Sequence, residues 1–323
     1  MSVVNGVLSL LSWIGQRGTT AVAASVFIGV SLPALSAVIR PYLTLLVFLL
    51  LILAFLRFDP AAAAKHLKRP FLLVCASLWI MVVLPLLALA AAHALGLPAL
   101  GDDVMLAVFI AMAPPAIMSA PAFIYLMGLN GAFSLTVLVA CVVVTPLSAP
   151  FLAELMAGAD LPLDPWMLAF QLGWLLIGSF AIASVLRRVT GKDRIRGYSS
   201  QIDGLNVILL LFFAIAAMDS VAANFLDRPV FSVLITLFTY LVAFLQLGLT
   251  MLVFSFLPRA DAFAIAHSAA TRNLGLLVAA FHGSLPEFTW LWFALAQFPT
   301  FTLPLLLKPL VRRFIAPAEE TKT

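Results

Sequence analysis

The residues best able to do chemistry in this 323-residue chain lie where charge is most costly. Ser268-Ala269-Ala270-Thr271-Arg272-Asn273-Leu274-Gly275 sits inside an otherwise apolar segment running from about Phe263 to Phe281. A bilayer is crossed by roughly 20 residues. Arg272 and Asn273 fall near the middle of that length, where a charge costs about 2.5–3.5 kcal/mol on insertion scales. Ala269, Ala270 and Gly275 leave room for a second backbone, and His267, Ser268 and Thr271 add polar groups. Such an arginine either snorkels or is satisfied within a bundle, or it serves a substrate or ion site. A second irregular stretch favours the site. Met112 to Ala122 carries Pro114, Pro115 and Pro121, which remove backbone donors and forbid a straight helix. Broken backbone at membrane depth is tolerated only when buried in protein or lining a cavity. Half-helix N-termini at such breaks suit an anion. Ser119, Ala120, Thr271, Arg272 and Asn273 are therefore the candidate substrate-binding residues. His267, one turn before Arg272, is a candidate proton-linked group, weighed against a hydrogen-bonded structural histidine.

The elements that must hold these stretches are membrane helices. The composition is 64% hydrophobic and 10% charged, and mean hydropathy is +1.15; no soluble core needs that much apolar surface. Continuous rather than alternating apolar runs favour helices over a barrel. Ten spans are expected, at about 20–37, 42–57, 70–95, 103–128, 131–157, 165–187, 204–222, 229–256, 262–282 and 288–312. Residues 2–16 read as a short amphipathic helix on the membrane surface, with no removable signal peptide.

Charge placement sets the topology. Arg17, Arg57, Lys65, Lys68, Arg69, Arg187, Arg188, Lys192, Arg194, Arg196, Arg259, Lys308, Arg312, Arg313 and Lys322 fall on one side. The other side has only Arg40 and Arg228 among acids such as Asp102, Asp103, Asp160, Asp164 and Glu287. Both termini are then cytoplasmic, in a multi-pass protein of the cell (inner) membrane. Ten spans divide into two five-span units, 1–158 and 159–323, and an odd unit repeats upside down. The two irregular segments are the fourth of each unit, where a transporter's binding site is expected.

The net charge of +4 reads as topology rather than nucleic-acid binding. Cys75 and Cys141 lie in apolar runs and read as packing residues. No metal-ligand spacing, phosphate-binding loop or Ser/His/Asp set is present, so neither cofactor nor enzyme activity is expected. Trp79, Trp166, Trp174, Trp290 and Trp292 read as an interfacial belt, and Asp203 and Asp219 as interfacial acids able to pair with a cation.

Ala113-Pro114-Pro115-Ala116-Ile117-Met118-Ser119-Ala120, Leu126-Met127-Gly128-Leu129-Asn130 and Pro146-Leu147-Ser148-Ala149-Pro150-Phe151-Leu152 resemble the fourth and fifth spans of the bile acid:sodium symporter family. Arg272-Asn273-Leu274-Gly275-Leu276 resembles its ninth. The resemblance implies an all-α, ten-helix secondary transporter. Spans three to five and eight to ten would form a core in which broken helices four and nine cross. Spans one, two, six and seven would form a panel, with the substrate between the two. The family's sodium ligands map onto Ser119, Ser134, Ser268 and Arg272 and, without usable oxygen, onto Ala120, Leu138 and the neighbourhood of Ile80. The span-nine glutamate falls on Ser268 and the following glutamine on Arg272. Hard cations want several oxygen ligands, so sodium is not expected at these positions. The expected function is transport of a small organic anion without sodium, Arg272 standing in for the ion. The alternatives are a sodium-coupled symporter with other ligands and a membrane sensor that does not transport.

Overall fold

A computed structural model describes residues 3–57, 70–157 and 164–315; Lys65, Lys68, Arg69, Asp160 and Lys322 lie outside them, as does the expected unit boundary at 158–159. Among the described residues every long element is a helix. In chain order these are α1 Val3–Gln16, α2 Gly18–Ser31, α3 Pro33–Arg57, α4 Pro70–Ala94, α5 Asp102–Met112, α6 Ala120–Leu126, α7 Gly131–Ala157, α8 Pro165–Thr190, α9 Lys192–Gly197, α10 Ser199–Ala217, α11 Val221–Asp227, α12 Pro229–Val253, α13 Arg259–Ala270, α14 Leu274–Ala280 and α15 Glu287–Phe314. Four begin with proline, whose missing N–H costs nothing in a first turn. Asp164 caps α8, accepting from the Trp166 amide at 2.9 Å.

The chain is an all-α protein in which α3, α4, α7, α8, α10, α12 and α15 are long and apolar enough to cross a membrane. Exposed Leu234, Leu237, Leu241, Leu245 and Leu252 give α12 an apolar outer face, as lipid contact requires.

Several sequence expectations need correction. The expected first span, 20–37, is not one helix: α2 stops at Ser31, and residues 33–37 belong to α3. Pro33 cannot donate to the turn before it, and Leu32 takes φ −122° at the joint. Residues 3–16 form the expected short helix, α1, and it packs on α10. The Leu11 carbonyl packs on Gly204, where there is no room for a Cβ, and Ser12 Oγ donates to Ser200 Oγ at 3.0 Å. Trp290 and Trp292 are buried and so are not part of an interfacial belt; Trp166 and Trp174 are exposed.

One group of helices, α1, α2, α3, α8 and α10, packs side by side. Arg187 of α8 donates to the Phe55 and Leu56 carbonyls at 2.8 and 2.6 Å, satisfying the open end of α3. Arg57 pairs with Asp203 at one end of α3 and α10, and Arg40 with Asp219 at the other, at 2.7 Å. The remaining long helices pack around the two interrupted segments, where burial is deepest: α13 from Ala262 onward and all of α14 are buried.

Candidate functional site

Two helices are interrupted, and the interruptions cross. α5 ends at Met112 and the chain turns helical again at Ala120; α13 ends at Ala270 and resumes at Leu274. In between, Ala116 and Arg272 form an antiparallel bridge. The Ile117 amide donates to the Thr271 carbonyl and the Asn273 amide to the Pro115 carbonyl, both at 2.8 Å. Each break thus supplies hydrogen-bond partners that the other lost, as backbone away from water must have.

The bridge leaves carbonyls behind, and Arg272 collects them. Ala269 would normally receive the Asn273 amide, which has gone to Pro115; Arg272 Nε donates to Ala269 O instead, at 3.1 Å. Met112 is the last residue of α5 and Pro114 lies beyond it, and Nη1 donates to their carbonyls at 2.6 and 3.1 Å. The fourth carbonyl is orphaned from a distance. A π-turn at Trp79–Val83 sends the Leu84 amide to Trp79 O rather than Ile80 O. The next candidate donor, Pro85, has no N–H. Nη2 fills the gap, donating to Ile80 O at 2.9 Å. Nε also reaches Gln246 Oε1 of α12 at 3.1 Å. These acceptors are all neutral. The guanidinium, on a residue 2% exposed, therefore pins α4, α5, α12 and α13 with four of its five N–H groups. Carbonyls at helix C-termini carry partial negative charge, which compensates a buried cation.

Beside the crossing is a cavity of about 850 Å³ between the two helix groups. Val47 to Arg57 of α3 and Asp203 to Phe213 of α10 form one wall; the stretch 117–135, the 272–275 break, Gln297 and Phe301 contribute to the other. It begins where Gly275 meets Val47 and Phe213 and extends along α3 and α10 by about 15 Å at helical rise to the Arg57–Asp203 pair. Most lining residues are apolar, with Ser119, Asn273, Gln297, Asn206 and Asn130 adding polar groups.

The expected site residues divide between the cavity and the crossing. Ser119, Arg272 and Asn273 line the cavity. Ser119 and Asn273 stand at the N-termini of α6 and α14, and neither side chain caps its helix. Ala120 and Thr271 are fully buried, and the Thr271 hydroxyl donates to the His267 carbonyl at 2.7 Å. Ser268 Oγ is spent on the Ala264 carbonyl at 2.9 Å. Ser134 is buried in α7, and its Oγ, like that of Ser119, has no hydrogen-bond partner among the described residues. His267 is packed near the rings of Phe123 and Phe263, with Nδ1 3.4 Å from Thr271 Oγ1 and Nε2 unpartnered among the described residues. Cys75 and Cys141 are free thiols, and no group of three or more His, Cys, Asp or Glu side chains is placed to hold a metal among the described residues.

Sequence reasoning missed Gln246 and the π-turn. The signal for the second was Pro85 in the middle of an apolar span, which frees a carbonyl wherever it occurs. No protein-family model matches this chain, and a search of curated proteins finds no match either.

Proposed function

We propose that the protein is a secondary transporter of a small organic anion that works without sodium, Arg272 taking the place of a bound cation. The observation that carries this reading is the set of four backbone carbonyls gathered by one buried guanidinium at the crossing of two interrupted helices. Bare carbonyls converging at membrane depth are what a desolvated cation needs; a guanidinium supplies the charge permanently, with donors in a fixed fork. The positions resembling the family's sodium ligands fit this substitution, since Ser268 offers no carboxylate and its hydroxyl is engaged on Ala264. In this reading the ten spans form two inverted units. The group α1, α2, α3, α8 and α10 is the panel, the helices around the crossing are the core, and the Arg57 end faces the cytoplasm, as the basic loops do. The substrate lies in the cavity, its anionic group toward the uncapped first turns headed by Ser119 and Asn273 and its apolar body along Leu50, Leu51 and Leu210.

Counterflow in proteoliposomes with a panel of organic anions, with sodium or choline as the cation, tests the proposal. Exchange that is equal in both salts and lost in Arg272→Gln supports it; exchange only in sodium removes it. One observation favours a second reading. Among the described residues Ser119 Oγ and Ser134 Oγ have no partner, at positions resembling sodium ligands, which suits a sodium-coupled symporter with a rearranged site. Strict sodium dependence abolished by Ser134→Ala would select it. Ligand binding without exchange in either salt would identify a sensor.

A further inference from the structure

We infer that Trp290, seated on the Arg40–Asp219 pair, is the gate that closes the far end of the cavity. The inference rests on the transport reading above. α3 and α10 are tied at both ends by an arginine–aspartate pair, and the two pairs are about 25 Å apart at helical rise. Both pairs lie within the panel, so neither need break when panel and core move as units. They differ in what the core does to them. At the Arg57 end, no hydrogen bond or ring contact joins the pair to the core among the described residues, and the cavity reaches it. At the Arg40 end, the Arg40 guanidinium lies 3.9 Å over the Trp290 ring, and Trp290 Nε1 donates to the Asp219 carbonyl at 3.1 Å. One indole of α15 therefore reads both members of the pair, one through its π face and one through its N–H.

The geometry around Asp219 serves this seat. The next residue, Ser220, has φ 65°, a left-handed conformation that a non-glycine residue holds only where its surroundings impose it. Two further panel–core links occur at the C-terminal end of α14. Gln171 Nε2 of α8 donates to His282 Nε2 at 3.1 Å, and Thr44 of α3 donates to the Ala279 carbonyl at 3.3 Å. His282 also has a left-handed φ, 52°. These polar and aromatic links are set within apolar packing that includes Phe213 against Phe293, ring centroids 6.1 Å apart, and Phe27 against Phe298 at 5.6 Å, so opening this end moves those rings together with Trp290. Alternating access then means that Trp290 lifts off a pair that itself stays closed, while the core swings onto the vacant pair, Arg57–Asp203.

The test is accessibility. A reporter cysteine replaces Leu50, on the cavity wall, in a Cys75→Ala, Cys141→Ala background, and vesicles are labelled with a membrane-impermeant maleimide from each side separately. The parent should label from the Arg57 side. Trp290→Leu should raise labelling from the Arg40 side about tenfold, a 1.4 kcal/mol shift in a two-state equilibrium, and lower it from the Arg57 side. Trp290→Phe, which keeps the ring and loses the N–H, should fall between. Adding Arg40→Gln to Trp290→Leu should change side-specific labelling little, because the contact of Arg40 with the indole is already gone and the ion pair it further loses, to Asp219, lies within the panel. Unchanged labelling in Trp290→Leu overturns the gate, as does a rise from both sides at once, which marks a loosened protein. Labelling needs no substrate: a side-specific shift without anion exchange leaves the gate standing and sinks the transport reading, and exchange with unshifted labelling does the reverse.

Discussion

Replacing Arg272 by leucine should leave the carbonyls of Ile80, Met112, Pro114 and Ala269 without their side-chain donor at once. An unsatisfied buried acceptor costs about 1–3 kcal/mol, so four cost roughly 4–12 kcal/mol. Against this, the guanidinium's own desolvation penalty, several kcal/mol, disappears with it. A net loss of about 3–6 kcal/mol is expected. Lysine keeps the charge but has three donors on one nitrogen rather than a fork, so it should recover part of the loss; glutamine, with two N–H groups, should recover less. The assay is thermal unfolding in detergent, read by tryptophan fluorescence, with melting temperatures falling in the order Arg, Lys, Gln, Leu. Hydrogen exchange supplies the local readout: the Ile117 and Asn273 amides, which hold the two breaks together, should exchange faster in Arg272→Leu. A leucine variant that melts with the wild type and protects those amides equally would refute the reasoning, because the four carbonyls would then have another source of satisfaction.

Pro85→Ala should lower the melting temperature although alanine is the better helix former. The restored N–H competes for carbonyls of the π-turn, including the Ile80 O that Nη2 now occupies; a more stable variant would contradict this. Gly275→Ala places a Cβ 2.8 Å from the Phe213 ring, forcing that ring to shift where it meets the break. It should weaken substrate exchange severalfold, in proportion to a misplacement near the chemistry, with a small change in melting temperature; normal exchange would show that the contact is slack. Ser119→Ala should weaken anion binding in a thermal-shift titration, and unchanged affinity would remove this hydroxyl from the site. Cysteines at Lys192 and Asp102 should label from opposite faces of the membrane, Lys192 from the cytoplasm; labelling of both from one face would overturn the topology.

The membrane class was legible because composition alone excludes a soluble core, and the two irregular stretches stood out because proline triplets and a mid-span arginine are rare at that depth. What Arg272 bonds to was not legible. Its acceptors are backbone carbonyls 158 to 192 residues away or a turn back, with one side-chain oxygen 26 residues away, and a carbonyl becomes an acceptor only once its own donor has been diverted. Ile80 illustrates this: its side chain is ordinary, and only the combination of the Leu84 shift and Pro85 exposes its oxygen. The first helix boundary was misread for a simpler reason. Hydropathy runs unbroken through Leu32-Pro33, whereas the backbone obeys the proline. Trp290 and Trp292 were assigned to an interface from their place near a span's end. Long-range packing against Arg40 and Phe238 puts them inside.

The central claim is that Arg272 occupies the role of a bound cation, and equilibrium binding of radioactive sodium to the purified protein tests it most directly. The wild type should show no saturable sodium binding, and the Arg272→Gln, Ser268→Glu double variant, which returns a carboxylate and removes the guanidinium, should acquire it. Saturable, stoichiometric sodium binding by the wild-type protein would contradict the account.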